Sequence, residues 1–214
     1  MRYAVIADIH ANLEALEVVL NDAKAQQCTH YCCVGDVVGY NANPKECLDI
    51  VRSMGMPVVK GNHDEYCSTG DNLEGFNPHA AEAVSWTRKQ LNPDDRKWLR
   101  EFKYIRLVAS FTYQNTAVCF FGHTHVPLAF VRDSVVRGGT YSKFRVEPGK
   151  KYFVNVGAVG QPRDGNPKAG YVVYDLNEQT IELRRLDYDI PKAQKKILEA
   201  GLPQRLADRL AVGK

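Results

Sequence analysis

Arg2-Tyr3-Ala4-Val5-Ile6-Ala7-Asp8-Ile9-His10-Ala11-Asn12-Leu13 sets a pattern that the first half of the chain repeats. Arg2 to Ala7 is a short apolar run rich in strand formers, cut off at the carboxylate of Asp8. From Asn12 onward Leu13, Leu16, Val19, Leu20 and Ala23 recur at helical spacing, so a helix follows the strand. Tyr31 to Val34 reads as a second strand and stops at Gly35-Asp36. Pro44 opens the next helix, where its missing N–H costs nothing, and Leu48 and Val51 mark the buried side. Pro57 to Val59 reads as a third strand, stopping at Gly61-Asn62-His63-Asp64. In open α/β sheets ligands gather at the carboxyl ends of strands, so these polar clusters are expected to be neighbours in space.

Further on, two helices are expected over His79 to Gln90 and Pro93 to Phe102, the second capped by Asn92. Val118 to Phe121 then leads into Gly122-His123-Thr124-His125. The remainder changes character: Leu128 to Arg132, Ser142 to Val146, Tyr152 to Val156, Gly170 to Tyr174 and Thr180 to Leu186 read as strands joined by tight turns. The tail from Pro191 to Leu210 is helical, interrupted near Gly201 and Pro203. An α/β half running without a linker into a β-rich half implies an α/β (α+β layered) fold, two packed sheets flanked by helices. Its 214 residues fit one domain, 1–214.

Composition narrows the function classes. Apolar content of 44% and charged content of 25% are those of a globular protein. A formal charge of +3 is too small to argue for nucleic acid. Lys192, Lys195 and Lys196 fall at helical spacing and read as a solvated face. The apolar run before Asp8 is too short for a signal sequence, and no stretch approaches membrane-spanning length. The six cysteines contain no C-x-x-C and several sit in apolar segments, which reads as buried thiols in a cytoplasmic protein. A homo-oligomer is an expectation too, since the β-rich half leaves a sheet edge to cover.

The clusters Asp8-Ile9-His10, Gly35-Asp36, Gly61-Asn62-His63-Asp64 and Gly122-His123-Thr124-His125 carry the chemistry, with Asn155-Val156-Gly157 a weaker fifth. Carboxylate and amide oxygens interleaved with imidazoles form a mixed N/O donor set. Such a set suits Mn, Fe, Zn or Co rather than calcium or an iron–sulfur cluster. Each piece alone is weak: Asp8 also reads as a strand-end cap, and Asp36 as a turn residue after Gly35. Asp8 and His10 reach the same side only if the strand breaks there.

The order of these clusters, with the phrases Gly35 to Tyr40 and Asn155 to Asp164, resembles the calcineurin-like metallophosphoesterase superfamily. The likeness is to its small bacterial and archaeal phosphodiesterase branch and extends from Arg2 to about Leu186. It implies a four-layer sandwich of two mixed sheets between helices. It also implies two divalent transition-metal ions (Mn, Fe, Zn, Ni or Co). Asp36 would bridge them, Asp8, His10 and His125 completing one site and Asn62 and His123 serving the other. A water shared by the metals would attack phosphorus in line. His63 would act on the departing oxygen with Asp64 orienting it, and Asn62 and His63 would contact the phosphoryl group. Arg163, in a Gly-rich segment, either approaches that anion or pairs on the surface. The substrate implied is a small phosphoester or nucleotide, a phosphodiester ahead of a phosphomonoester. A scaffold that keeps the fold without the chemistry, or a nucleotide-binding regulator, is the alternative.

One departure stands out. The family carries another metal histidine between the second pair of clusters, and Tyr104 to Ala117 contains none. Either the second metal has only Asp36, Asn62 and His123, or a loop is missing at a Val108–Ala109 junction. His79 is the unassigned histidine nearby.

Overall fold

The computed structural model describes residues 1–104 and 116–214. The alternation expected for the first half is realised as β1 (Arg2–Ile6), α1 (Leu13–Ala25), β2 (His30–Cys33) and α2 (Pro44–Ser53). Next come α3 (Asn62–Ser68), α4 (Pro78–Gln90) and α5 (Pro93–Glu101). Strands follow: β3 (Val118–Phe121), β4 (Ala129–Arg132), β5 (Val136–Gly139), β6 (Lys143–Arg145), β7 (Lys151–Asn155), β8 (Ala169–Asp175) and β9 (Thr180–Leu186). Helices α6 (Ile190–Glu199) and α7 (Gln204–Asp208) and a 3₁₀ turn, Arg209–Ala211, complete the fold.

Local chemistry sets the helix starts. The Asn12 side chain accepts the Ala15 N–H at 3.1 Å to begin α1, and Asn92 with Asp95 forms a reciprocal capping box at α5. Proline stands in the first turn of α2, α4 and α5, where no helical donor is lost.

Two mixed sheets result, with strand orders β2-β1-β8-β9-β6 and β3-β7-β4-β5. β1 pairs parallel with β2 and antiparallel with β8; β3 pairs parallel with β7. Alternate residues of β1 serve two cores. Ala4 and Ile6 pack with Leu16, Val19, Leu48 and Val51 under the helices. Val5 and Ala7 pack with Tyr152, Val154 and Val156 between the sheets. Burial on both faces is why β1 reads as an unbroken apolar run.

Some expectations are corrected. Pro57 to Val59 is no strand; it makes only isolated bridges, Cys33 to Val58 and Val59 to Lys103. Pro57 has no N–H to extend a ladder, and the chain turns at once into α3. The polar Gly61–Asp64 cluster opens that helix, which has no apolar periodicity to announce it. β5 escaped notice because Gly138 and Gly139 are weak strand formers. Nor are Lys192 and Lys196 merely a solvated face: both pair with the buried Glu14, at 3.3 and 2.6 Å, tying α6 to α1. The Val108–Ala109 junction lies outside the described residues. Among those residues no helix is long and apolar enough to cross a membrane, and all six cysteines are free.

Candidate metal centre

The loops that leave β1 and β2 are zipped together beyond the strands themselves. Asp8 N–H donates to Gly35 O at 3.0 Å, His10 N–H to Asp36 O at 2.9 Å and Ala11 N–H to Val37 O at 2.9 Å. Asp8 and His10 adopt φ of 52° and 47°, which breaks the strand and lets both side chains turn inward. Asp36, His123 and His125 also lie in the left-handed region, at 54°, 73° and 60°. Each such residue costs about 1–3 kcal/mol and persists only where its surroundings enforce it. Two glycines make the close approaches. A Cβ on Gly61 would stand 2.1 Å from Asp36 Oδ1, and one on Gly122 2.5 Å from Asp8 Oδ2.

Asp8, His10 and His125 bring one donor atom each within 4.8 Å of one another, all buried. His10 donates Nδ1–H to the Val38 carbonyl at 3.1 Å, and His125 donates Nδ1–H to the Gln161 carbonyl at 2.6 Å. That assignment leaves both Nε2 atoms as lone pairs, and they face each other at 3.1 Å. Asp8 Oδ1 lies 3.4 Å from His125 Nε2 and 3.8 Å from His10 Nε2. Two lone pairs and a carboxylate oxygen at these distances repel unless a cation lies among them. Two imidazoles bound to one ion at about 2.1 Å sit roughly 3 Å apart, so the set fits a transition metal. Burial pushes both imidazoles toward the neutral, ligating form. His10 falls well below its usual range, helped by His63 and His125, and His125 falls to about 2, helped by Arg163. Burial raises the carboxyls: Asp8 well above its usual range, with Asp36 nearby adding to the shift, and Asp36 to about 6.

Beside this trio, Asn62 Oδ1 lies 3.2 Å from His123 Nδ1. The His123 N–H donates to both Asp8 oxygens, at 3.1 and 2.9 Å, and Asp36 Oδ1 accepts the His63 N–H at 2.8 Å. Asn62, His123 and Asp36 therefore border the trio on its more open side. Asn155, from the weaker fifth cluster, braces the His123 loop. Its Nδ2 donates to Gly122 O and Thr124 Oγ1, both at 2.9 Å, and its Oδ1 accepts the Gly157 N–H at 2.9 Å.

The His63 ring packs edge-on to His10 at 4.8 Å and against Tyr40 at 4.3 Å between centroids. Burial, with Arg163 and His123 nearby, takes it down to about 3. Asp64 does not orient this ring, contrary to expectation. Its carboxylate accepts the backbone N–H groups of Val37, Val38 and Gly61 at 2.8, 3.2 and 3.1 Å, capping α3 and clamping the Asp36 loop. His63 Nδ1 is enclosed without a partner.

Arg163 makes no surface ion pair among the described residues. It donates to Gln161 Oε1 at 2.7 Å, and its Cζ stands 5.4 Å from the Tyr40 ring centroid. His79 is not brought to the metal donors; it lines a neighbouring cavity with Tyr40 and Arg163. Tyr40, the Gln161 carbonyl and Arg209 were missed by sequence reasoning. For Tyr40 a signal existed, since it follows Gly39 in the Gly35 to Tyr40 phrase; a backbone carbonyl leaves no residue-type signal at all.

Comparison with known proteins gives the family and the fold. A family profile described as a calcineurin-like phosphoesterase superfamily domain matches residues 1–179. The chain is 36% identical, over 242 residues covering 99% of it and 98% of the relative, to an uncharacterized protein of Methanocaldococcus jannaschii. The crystal structure of a metallophosphoesterase from Sphaerobacter thermophilus is 35% identical with a TM-score of 0.83, covering 100% of this chain and 99% of that one. A hypothetical protein from Pyrococcus horikoshii shares the fold, with a TM-score of 0.78 at 16% identity, over 100% of this chain and 98% of that one.

Proposed function

This chain belongs to the calcineurin-like phosphoesterase superfamily, and from that membership we propose that it hydrolyses small phosphodiesters or nucleotides with two divalent transition-metal ions. The observation that carries the reading is the pair of His Nε2 lone pairs 3.1 Å apart, with Asp8 alongside. Asp8, His10 and His125 would hold one ion and Asn62 and His123 the other, with Asp36 serving both. Mn, Fe, Zn, Ni and Co all suit the donors. Bound there, the ions supply a water of lowered pKa and positive charge for the phosphoryl oxygens.

The chain's own groups do the rest. The Val38 and Gln161 carbonyls hold the two imidazoles in the tautomer that presents Nε2. His63, enclosed at Nδ1 and neutral at pH 7, keeps Nε2–H for an oxygen of the departing group. The Asn62 amide hydrogen-bonds a phosphoryl oxygen. A scaffold has no use for carboxylates and lone pairs crowded together out of water, because unpaired polar groups there are costly.

The test is hydrolysis of bis(4-nitrophenyl) phosphate by the full chain loaded with Mn²⁺. Activity abolished by Asp36→Asn is the expected result. A folded, metal-loaded protein inactive on every phosphoester tried would overturn the proposal, and tight nucleotide binding without turnover would turn it to a regulator.

A further inference from the structure

Behind Tyr40 lies a second cavity of about 500 Å³, lined by His79, Arg163, Arg205, Asp208, Arg209 and Lys214 among others. Tyr40 connects it to the candidate centre, since the Tyr40 ring that lines the cavity also packs at 4.3 Å from the His63 ring. The Arg163 and Arg209 guanidinium carbons stand 5.4 and 5.9 Å from the centre of that same ring. Both arginines are half-buried, and neither has an Asp or Glu carboxylate within ion-pair distance among the described residues. Arg163 Nε is enclosed without a partner. Asp164, next in sequence, pairs with Arg185 instead, and Asp208 accepts from Gln204 at 2.7 Å. Arg209 Nε donates to the Lys214 main-chain oxygen, which fixes the direction of the guanidinium.

Two guanidinium groups beside one ring, with no Asp or Glu in direct ion-pair contact, are better held when an anion joins them. A phosphate is the anion that guanidinium geometry fits best, through paired N–H donors. Arg205, Arg209 and Lys214 lie beyond residue 179, where the family match ends, so the C-terminal segment completes a cavity whose other wall is Tyr40, His79 and Arg163.

We propose that this cavity seats a second phosphate of the substrate, so that the chain acts on nucleotides carrying a phosphate beyond the one attacked. The word substrate rests on the hydrolase reading; the anion site does not. Arg163 and Arg209 grip the distal phosphate at the rim of the Tyr40 ring.

The experiment compares wild type with Arg209→Gln, Arg209→Lys and Lys195→Gln, the last removing the same charge from the exposed side of α6. One readout is kcat/KM for ADP relative to bis(4-nitrophenyl) phosphate, with Mn²⁺. The other is calorimetric affinity of the metal-free protein for inorganic pyrophosphate. Arg209→Gln should lower the ratio and the affinity about tenfold each, as loss of a charged hydrogen-bond donor does. Arg209→Lys should recover part of both, and Lys195→Gln should move neither. Unchanged ratio and affinity in Arg209→Gln would overturn the proposal. Lower pyrophosphate affinity with an unchanged ratio would overturn the substrate assignment and leave a site for free phosphate. If wild type hydrolyses neither ester, the hydrolase reading fails, and the pyrophosphate titration alone decides the anion site.

Discussion

Of the nine non-glycine residues with positive φ among those described, Asp8, His10, Ala11, Asp36, Tyr40, His123 and His125 all belong to the centre or its rim. Backbone strain is concentrated where side chains must converge, which is the usual mark of a site held by its surroundings. Gly61 shows how little room remains. Gly61→Ala places a methyl 2.1 Å from Asp36 Oδ1, and should cost roughly 1–3 kcal/mol as overpacking does. A fall in Tm together with weaker Mn²⁺ binding in calorimetry is the expected outcome; a variant that binds metal like wild type would contradict the packing argument. His63 belongs at this scale as well. If it assists the departing oxygen, His63→Asn should slow an ester with an alkoxide leaving group about 100-fold or more. A 4-nitrophenolate leaving group needs little help, so its kcat should fall far less. Equal losses for both would show that His63 only packs.

At the level of elements, loops are placed by braces that come from elsewhere in the chain. Asn155 at the end of β7 holds the Gly122–His125 loop through two hydrogen bonds and is itself fixed by a third, from the Gly157 N–H. Asn155→Ala leaves the Gly157 N–H unpaired and takes from Gly122 O one of its two donors, at about 1–3 kcal/mol for such a buried loss. Because His123 and His125 ride on that loop, metal affinity should fall roughly 10–100-fold alongside the drop in Tm. Lost stability with unchanged affinity would confine Asn155 to a structural role. The C-terminal helices are fastened by charge. Removing both Lys192 and Lys196 as methionines strands the Glu14 carboxylate, which is only 5% exposed. A cost of about 3–5 kcal/mol is expected for that uncompensated charge, measured by urea unfolding. The Glu14→Gln change should restore most of it.

For the molecule as a whole, the centre trades stability for charge. Asp36 is raised from 3.8 to about 6 by burial. Below pH 4 it is protonated whether the chain is folded or not. Between about 4 and 6 the unfolded chain releases the proton while the folded one keeps it, so the folded state binds more protons and stability falls as pH rises. Above about 6 that loss is complete. In metal-free protein, Asp36→Asn should therefore gain Tm over wild type between pH 4.5 and 7, because the amide still accepts the His63 N–H. Adding Mn²⁺ at pH 7 should reverse the order, since only wild type has the carboxylate to bind it. Differential scanning calorimetry at both pH values checks this; a pH-independent difference would remove Asp36 from the buried charge. How much of this was legible follows from the range of each interaction. Apolar periodicity reports which face of a segment is buried, so β1, α1, β2 and α2 were readable from Arg2 onward. Strand ends that stop in Asp8 and Asp36, and the cluster order, were readable as a donor set. Periodicity says nothing of which loops meet. The 3.1 Å approach of His10 and His125 joins residues 115 positions apart, the Asp64 carboxylate turns to backbone donors instead of His63, and Arg209 arrives at Tyr40 from the far end of the chain. By itself, then, the sequence determined the periodic elements and the donor types of the candidate centre, because neighbouring residues decide those. Only the tertiary structure decided the His10 and His125 tautomers, the partner of Asp64 and the cationic cavity, because these depend on side chains and carbonyls that packing of the two sheets and the C-terminal helices brings together.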